Sequence, residues 1–346
     1  MSASVDARTA AVILRILAGD PRVGAEALDW RLIGGIARRE YVAQRVARRL
    51  ARRGVRLPPR FGDAVARHRD RSGHILALAS RIGETCARQG IAHVFLKLAQ
   101  HYPDVGNDVD LLIAGESGAD TLVLDQIPAL PGRRSLGGWI DGRTVYAIPQ
   151  HQTAIDVHHG RLGRFGEHRR VAALLLRRRQ TVVLGRAACS VPSLEDQMLL
   201  QALAQGAGRS RLSLGDVSWV IGTVRDARLD WNDVLAAAKA AGLLECLSCR
   251  LHYVDQIHRD VFDRPLLDRA IRARLPGKDW GLVEYRDGGF RFATTRVSGR
   301  LYLQQFRAEV AAGDWEAAGR LCLIPVAAVS AGLRRISGPH RRQEEP

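Results

Sequence analysis

Residues 107–113 read Asn-Asp-Val-Asp-Leu-Leu-Ile, two carboxylates two positions apart at the head of an apolar, β-prone run. A strand turns successive side chains to opposite faces, so Asp108 and Asp110 share one face while Val109 and Leu111 share the other. The apolar face must cover a core. The acidic face must meet water or a cation, because neighbouring carboxylates repel unless positive charge lies between them. Carboxylate oxygens are natural ligands of Mg²⁺, which often takes one or two of them together with substrate phosphates. The run therefore requires a sheet with one acid-bearing face and points to phosphoryl or nucleotidyl transfer. A strand that ends in two solvated acids satisfies the same pattern.

The flanking segments build on this strand. Upstream, Ile91-Ala92-His93-Val94-Phe95-Leu96-Lys97 is a second strand-like run ending in a lysine. Residues 98–106 between the two runs read as a helical turn and a loop, through Tyr102-Pro103-Asp104 and Gly106. Downstream, Thr153-Ala154-Ile155-Asp156-Val157-His158-His159 alternates, which places Asp156 and His158 on one strand face. His159 falls on the other face, as core or surface. A strand, a short helix, an acidic strand and a third acid-bearing strand form a mixed platform with its acids on one side.

Phe95-Leu96-Lys97, Tyr102-Pro103, Asn107–Ile113 and Ile155-Asp156-Val157-His158 together resemble an uncharacterised nucleotidyltransferase family of the polymerase-beta-type superfamily. The four elements stand in the family's order. The later stretch resembles the family's helical second half through Ser193, Glu195, Asp196, Asp216, Asp230 and Trp231, so the likeness spans residues 10–260. It implies an α+β fold, with a small mixed sheet flanked by N-terminal and C-terminal helical regions. It also implies a transferase that moves a nucleoside monophosphate from a nucleoside triphosphate to a hydroxyl, ATP being the commonest donor. Asp108, Asp110 and Asp156 would be catalytic and would hold one or two Mg²⁺ ions. Lys97 would place a point charge on phosphate. His158 would orient Asp156 or touch the acceptor, which is a small molecule, a peptide or tRNA, with a biosynthetic role favoured. Two departures stand out: Leu98 replaces the family's glycine after the lysine, and Gly106-Asn107 replaces an arginine before the acidic strand. They motivate the alternative of a catalytically degenerate fold that acts as a binding or scaffold protein, including for RNA.

At 346 residues and 46% hydrophobic, the chain can bury a sizeable core. Residues 1–90 read as helices, including one run over 28–53 and another over 61–89. Residues 91–190 read as the catalytic platform, with a basic amphipathic helix over 168–180 and a strand over 181–185. Residues 191–336 read as a second helical region, with Ser193 a helix cap and short β-like pieces within 276–299. Residues 337–346 read as a disordered tail, and 114–150, with its prolines and glycines, shows no long helix. The net charge of +16 is carried almost wholly by arginine, lysine standing only at 97, 239 and 278. That bias is compositional, yet the charge attracts polyanions at low salt. The arginines of 28–53 are the foremost candidates for such contacts.

Cys246-x-x-Cys249 lacks a second pair and reads as packing. His151, His158, His159 and His168 lack zinc-ligand spacing. No stretch approaches the ~20 apolar residues of a membrane span. Asp6 and Arg8 interrupt any leader-like opening, and the cysteines lack framework spacing; a reducing cytoplasm is the expected location.

Overall fold

A computed structural model of the chain describes residues 4–24, 28–106, 108–115, 141–149, 153–206, 211–292 and 295–323. The expected N-terminal helices form α1 (Val5–Ala18), α2 (Trp30–Arg39), α3 (Ala43–Ala51) and α4 (Pro59–Arg88). Their starts are fixed locally. The Ser4 side chain accepts from the Ala7 N–H, Asp29 accepts from the Arg31 and Leu32 N–H groups, and Pro59 opens α4 with no N–H to satisfy. The single run expected over 28–53 is two helices. Tyr41 takes a positive φ of 55°, and the fully buried Glu40 accepts from the Leu214 N–H at 2.9 Å and pairs with Arg211. Buried positions 33, 36, 37, 43, 46, 47 and 50 keep helical spacing across this break, so periodicity conceals it.

The platform is a four-stranded sheet built from β1 (His93–Phe95), β2 (Asp108–Ile113), β3 (Arg143–Ile148) and β4 (Thr153–His159). Its order is β1-β2-β4-β3. β2 and β4 run parallel, and the outer pairings are antiparallel. A short helix, α5 (Leu98–His101), lies between β1 and β2. Val109, Leu111, Ile155 and Val157 form the sheet's apolar side and share one core with Ile75, Leu76, Ala79 and Ile82 of α4. The opposite side carries the acids. Most of the segment expected to lack a long helix lies outside the described residues, as does the tail.

Next come α6 (Arg169–Arg177) and the hairpin β5 (Gln180–Leu184) and β6 (Ala187–Val191). The Ser190 hydroxyl donates to the His93 carbonyl at 3.0 Å and ties this hairpin to β1. The C-terminal half contributes α7 (Leu194–Gly206), β7 (Arg211–Leu212), α8 (Leu214–Val224), α9 (Trp231–Ala240), α10 (Leu244–Phe262) and α11 (Arg269–Arg274). β8 (Val283–Arg286), β9 (Gly289–Phe292), α12 (Thr295–Ala311) and α13 (Trp315–Leu321) follow. β7, β9 and β8 form a small three-stranded sheet. Residues of α1–α3 and of α7–α10 belong to one large apolar cluster, so the two helical regions share a core. Cys246 and Cys249 are buried within it, and burial raises both thiols, Cys249 to about 12.

In the first turn of α7, Asp196 is wholly buried and faces Arg178 Nε at 3.3 Å. Burial lifts its carboxyl to about 6, although Arg178 and Ser193 oppose the shift. The folded value thus lies above the unfolded one of about 3.9. The native state holds the proton more tightly, so this group's contribution is full below the unfolded value and declines as pH rises through 6. Asp196→Asn is expected to stabilise the protein at pH 7 by up to about 3 kcal/mol and to give no gain at pH 4. Urea denaturation at the two pH values measures the difference; equal effects at both would contradict the assignment.

Candidate active site

The alternation of β2 and β4 sets the site. In the parallel pairing Asp110 lies opposite Asp156, Asp108 opposite Ala154 and Leu112 opposite His158. Neighbouring strands are ~4.8 Å apart, so the three acids expected from the sequence occupy one sheet face, as does His158. Leu96, just beyond β1, donates its N–H to the Asp110 carbonyl at 3.0 Å, which brings Lys97 over the same face. Lys97 Nζ donates to Asp110 Oδ2 at 2.7 Å. His158 turns Nε2 towards Asp110 Oδ1 at 4.0 Å, so its nearest acid is Asp110 instead of the expected Asp156. His159 points to the apolar side, is buried, and lies 3.1 Å from the Thr144 hydroxyl.

Burial penalises the Asp110 carboxylate, but Lys97 and His158 outweigh that penalty and hold its carboxyl well below the usual range. Asp108 behaves oppositely. It is exposed by surface area, yet partial loss of water in the cleft, then the charges of Asp156 and Asp110, push its carboxyl up. This mutual repulsion is the electrostatic sign that negative charge converges here.

Two further residues, not evident from the sequence pattern, stand at this face. Arg143 opens β3 opposite His158 and reaches Asp156 Oδ2 through Nη1 at 3.4 Å. Asp141 accepts from the Arg143 N–H at 3.0 Å, and its carboxyl is raised by burial and by Asp156, against the pull of Arg143. Residues 143–148 alternate buried and more exposed positions and form a hairpin with β4, which makes Arg143 a strand-end cation beside the acids.

Asp108 and Asp110, with Lys97, Arg143 and His158, line one side of a cavity of about 680 Å³. Its other walls come from Tyr41, from Leu200, Gln201 and Leu203 of α7, and from Arg211. A buried polar network closes the far end. Asp216 accepts from the Ser213 N–H and hydroxyl at 3.3 and 2.9 Å and faces Arg250 at 3.6 Å and His101 at 3.9 Å. Burial opposes ionisation of Asp216, and Arg250, His101 and Ser213 override it. Burial depresses the His101 imidazole despite Asp216. Leu98 is buried at the cavity wall with its side chain in the α4 core.

The donors that could hold a divalent ion are Asp108, Asp110 and Asp156. Their chemistry fits Mg²⁺: oxygen donors only, on one face, where burial and then the charges of Asp156 and Asp110 raise Asp108. In the geometry described, Lys97 and Arg143 stand against two of the three acids. Among the described residues no group of three or more His, Cys, Asp or Glu side chains is drawn to metal-ligand spacing. No helix among the described residues is long and apolar enough to cross a membrane.

A small mixed sheet with acids converging on one face, flanked by helical regions, defines an α+β nucleotidyltransferase-like fold. The chain belongs to a family described as uncharacterised nucleotidyltransferase, whose model matches residues 26–258. No curated protein and no solved structure matches it.

Proposed function

We propose that the protein transfers a nucleoside monophosphate from a nucleoside triphosphate to a hydroxyl on a small molecule, a peptide or tRNA. The observation that carries this reading is the register of Asp110 against Asp156, with Asp108 on the same face, at the wall of a cavity in the size range of small-ligand sites. Asp108, Asp110 and Asp156 would hold Mg²⁺. When bound, the ion supplies the positive charge that offsets the triphosphate and stabilises the attacking and leaving oxygens. Lys97 offers a point charge to the phosphates, and Arg143 a planar set of donors to the same group. Asp156 accepts the proton of the acceptor hydroxyl. The hydroxyl oxygen bonds to the α-phosphorus, the bond from that phosphorus to the bridging oxygen breaks, and pyrophosphate leaves. His158 faces Asp110 at 4.0 Å, where it would contact the phosphates or the acceptor.

Incubation of the full chain with each labelled triphosphate, Mg²⁺ and a cell extract is expected to release pyrophosphate and to yield one class of nucleotide-bearing product by mass. Lys97→Ala should then raise KM for the triphosphate by about tenfold, the loss of one charge on phosphate. A scaffold built on an inactive transferase fold, the reading that Leu98 favours, predicts that calorimetry finds no metal-dependent binding of ATP, CTP, GTP or UTP. That result would overturn the transferase reading.

A further inference from the structure

Arg31 and Arg38 stand seven residues apart on α2, and Arg60 and Arg67 stand seven apart on α4. Seven residues make two helical turns, about 10.5 Å along the axis, so each helix presents its pair on one face. The two helices set these faces along the sides of a slot of about 810 Å³, away from the sheet's acidic face. The slot has an apolar floor. Gly34, Phe61 and Ala64 are buried there, and Gly34 lets the ring approach so closely that a Cβ would lie 3.2 Å from Phe61 Cδ2. One step along α2 the floor opens: nothing lies within 4 Å of where a Cβ on Gly35 would stand.

All four arginines are exposed. Arg38 donates Nε to the Gly34 carbonyl at 3.2 Å, whereas Arg31, Arg60 and Arg67 form no ion pair with any described residue. Asp63 is the one acid in the lining. Four guanidinium groups beside an apolar trough complement a partner with carboxylates on its flanks and an aliphatic side chain between them. A single strand held by stacking would need an open ring face. Here Trp30 and Phe61 pack against each other, centroids 5.8 Å apart and planes at 43°, and Phe61 is buried. We propose that the slot between α2 and α4 docks an acidic amphipathic segment of a polypeptide partner. The observation that carries it is two arginine pairs, each at two-turn spacing, flanking an apolar floor with vacant space over Gly35. The inference is independent of nucleotidyl transfer.

Fluorescence anisotropy of the full chain at about 0.15 M salt tests it with three labelled probes. These are a helical peptide with leucines on one face and glutamates flanking them, an oligoglutamate of equal charge, and a single-stranded RNA of equal charge. The amphipathic peptide is expected to bind about tenfold or more tightly than oligoglutamate, the effect of burying an aliphatic side chain. Gly35→Leu fills the vacant space and suits a helix better than glycine. It should weaken the amphipathic peptide about tenfold and leave oligoglutamate unchanged. The double variant Arg60→Glu, Arg67→Glu should weaken both peptides, with the helical circular-dichroism signal kept in every variant. Equal affinity for the two peptides would overturn the proposal, as would indifference to Gly35→Leu. RNA binding that Gly35→Leu weakens as much as peptide binding would assign the slot to nucleic acid and overturn it as well.

Discussion

Asp108→Asn is expected to lower Mg²⁺-dependent pyrophosphate release by on the order of a thousandfold or more while leaving the protein at least as stable as the wild type. The two halves of this expectation have one cause. Asp110 is compensated by Lys97 at 2.7 Å and Asp156 by Arg143 at 3.4 Å, whereas Asp108 forms no ion pair with any described residue. Its carboxyl is raised by burial and by the other two acids, so its charge is the one the folded protein opposes. Asparagine removes that repulsion, so the urea midpoint is expected to rise slightly. Asp110→Asn should lose as much activity but destabilise the fold, because it leaves Lys97 without its partner. That loss is discounted to about 1 kcal/mol, since the lysine side chain is 41% exposed. A lost rate together with a raised midpoint marks a site built to gather negative charge for a cation. A wild-type rate in Asp108→Asn would remove Asp108 from the proposed metal-binding set.

The part of this site that reads directly from sequence is the part set by local geometry. The alternation of β2 and β4 fixes which side chains share a face, so Asp108, Asp110, Asp156 and His158 emerge from a period of two. Their pairing is another matter. β2 and β4 are parallel, which requires a crossover, and the register that sets Asp110 against Asp156 depends on tertiary packing instead of any local pattern. Arg143 is hidden for a related reason. In a chain so rich in arginine, one more cation carries no signal until the β3–β4 hairpin places it beside Asp156. The far wall comes from still more distant segments. Arg250 on α10 meets Asp216 on α8, and Gln201 on α7 donates to Gln100 at 3.3 Å from 101 residues away. The break between α2 and α3 has a similar origin, since Glu40 turns inward to meet Leu214 and Arg211. Hydrophobic spacing reports burial, and Glu40 is buried by an ionic partner that the local sequence does not contain.

Asp104→Ala is expected to destabilise the protein by about 3–5 kcal/mol, the largest effect anticipated for a residue outside the candidate site. Helix α3 is preceded by Val42 at its cap position, whose side chain makes no capping hydrogen bond. Its first N–H groups are satisfied from a distance. The Asp104 carboxylate, fully buried, accepts from the Gln44 N–H at 2.7 Å, the Arg45 N–H at 3.0 Å and Arg45 Nε at 3.2 Å. His68 Nε2 lies 3.5 Å from Oδ1, the oxygen that Gln44 meets. Burial opposes ionisation here, but His68, Arg45 and the two backbone donors prevail and hold the carboxyl below its usual value. A depressed value places this stability above the unfolded pKa of about 3.9 and removes it as pH falls through the folded value. The difference between wild type and Asp104→Asn in urea denaturation should therefore be full at pH 7 and shrink below about pH 4. Part of the alanine variant's loss comes from the Arg45 guanidinium left buried without its carboxylate. Asp104→Ala combined with Arg45→Met should consequently recover about 1–2 kcal/mol, a coupling that a double-mutant cycle measures. Full additivity would mean that Asp104 acts through the helix terminus alone, with no contribution from its pair with Arg45.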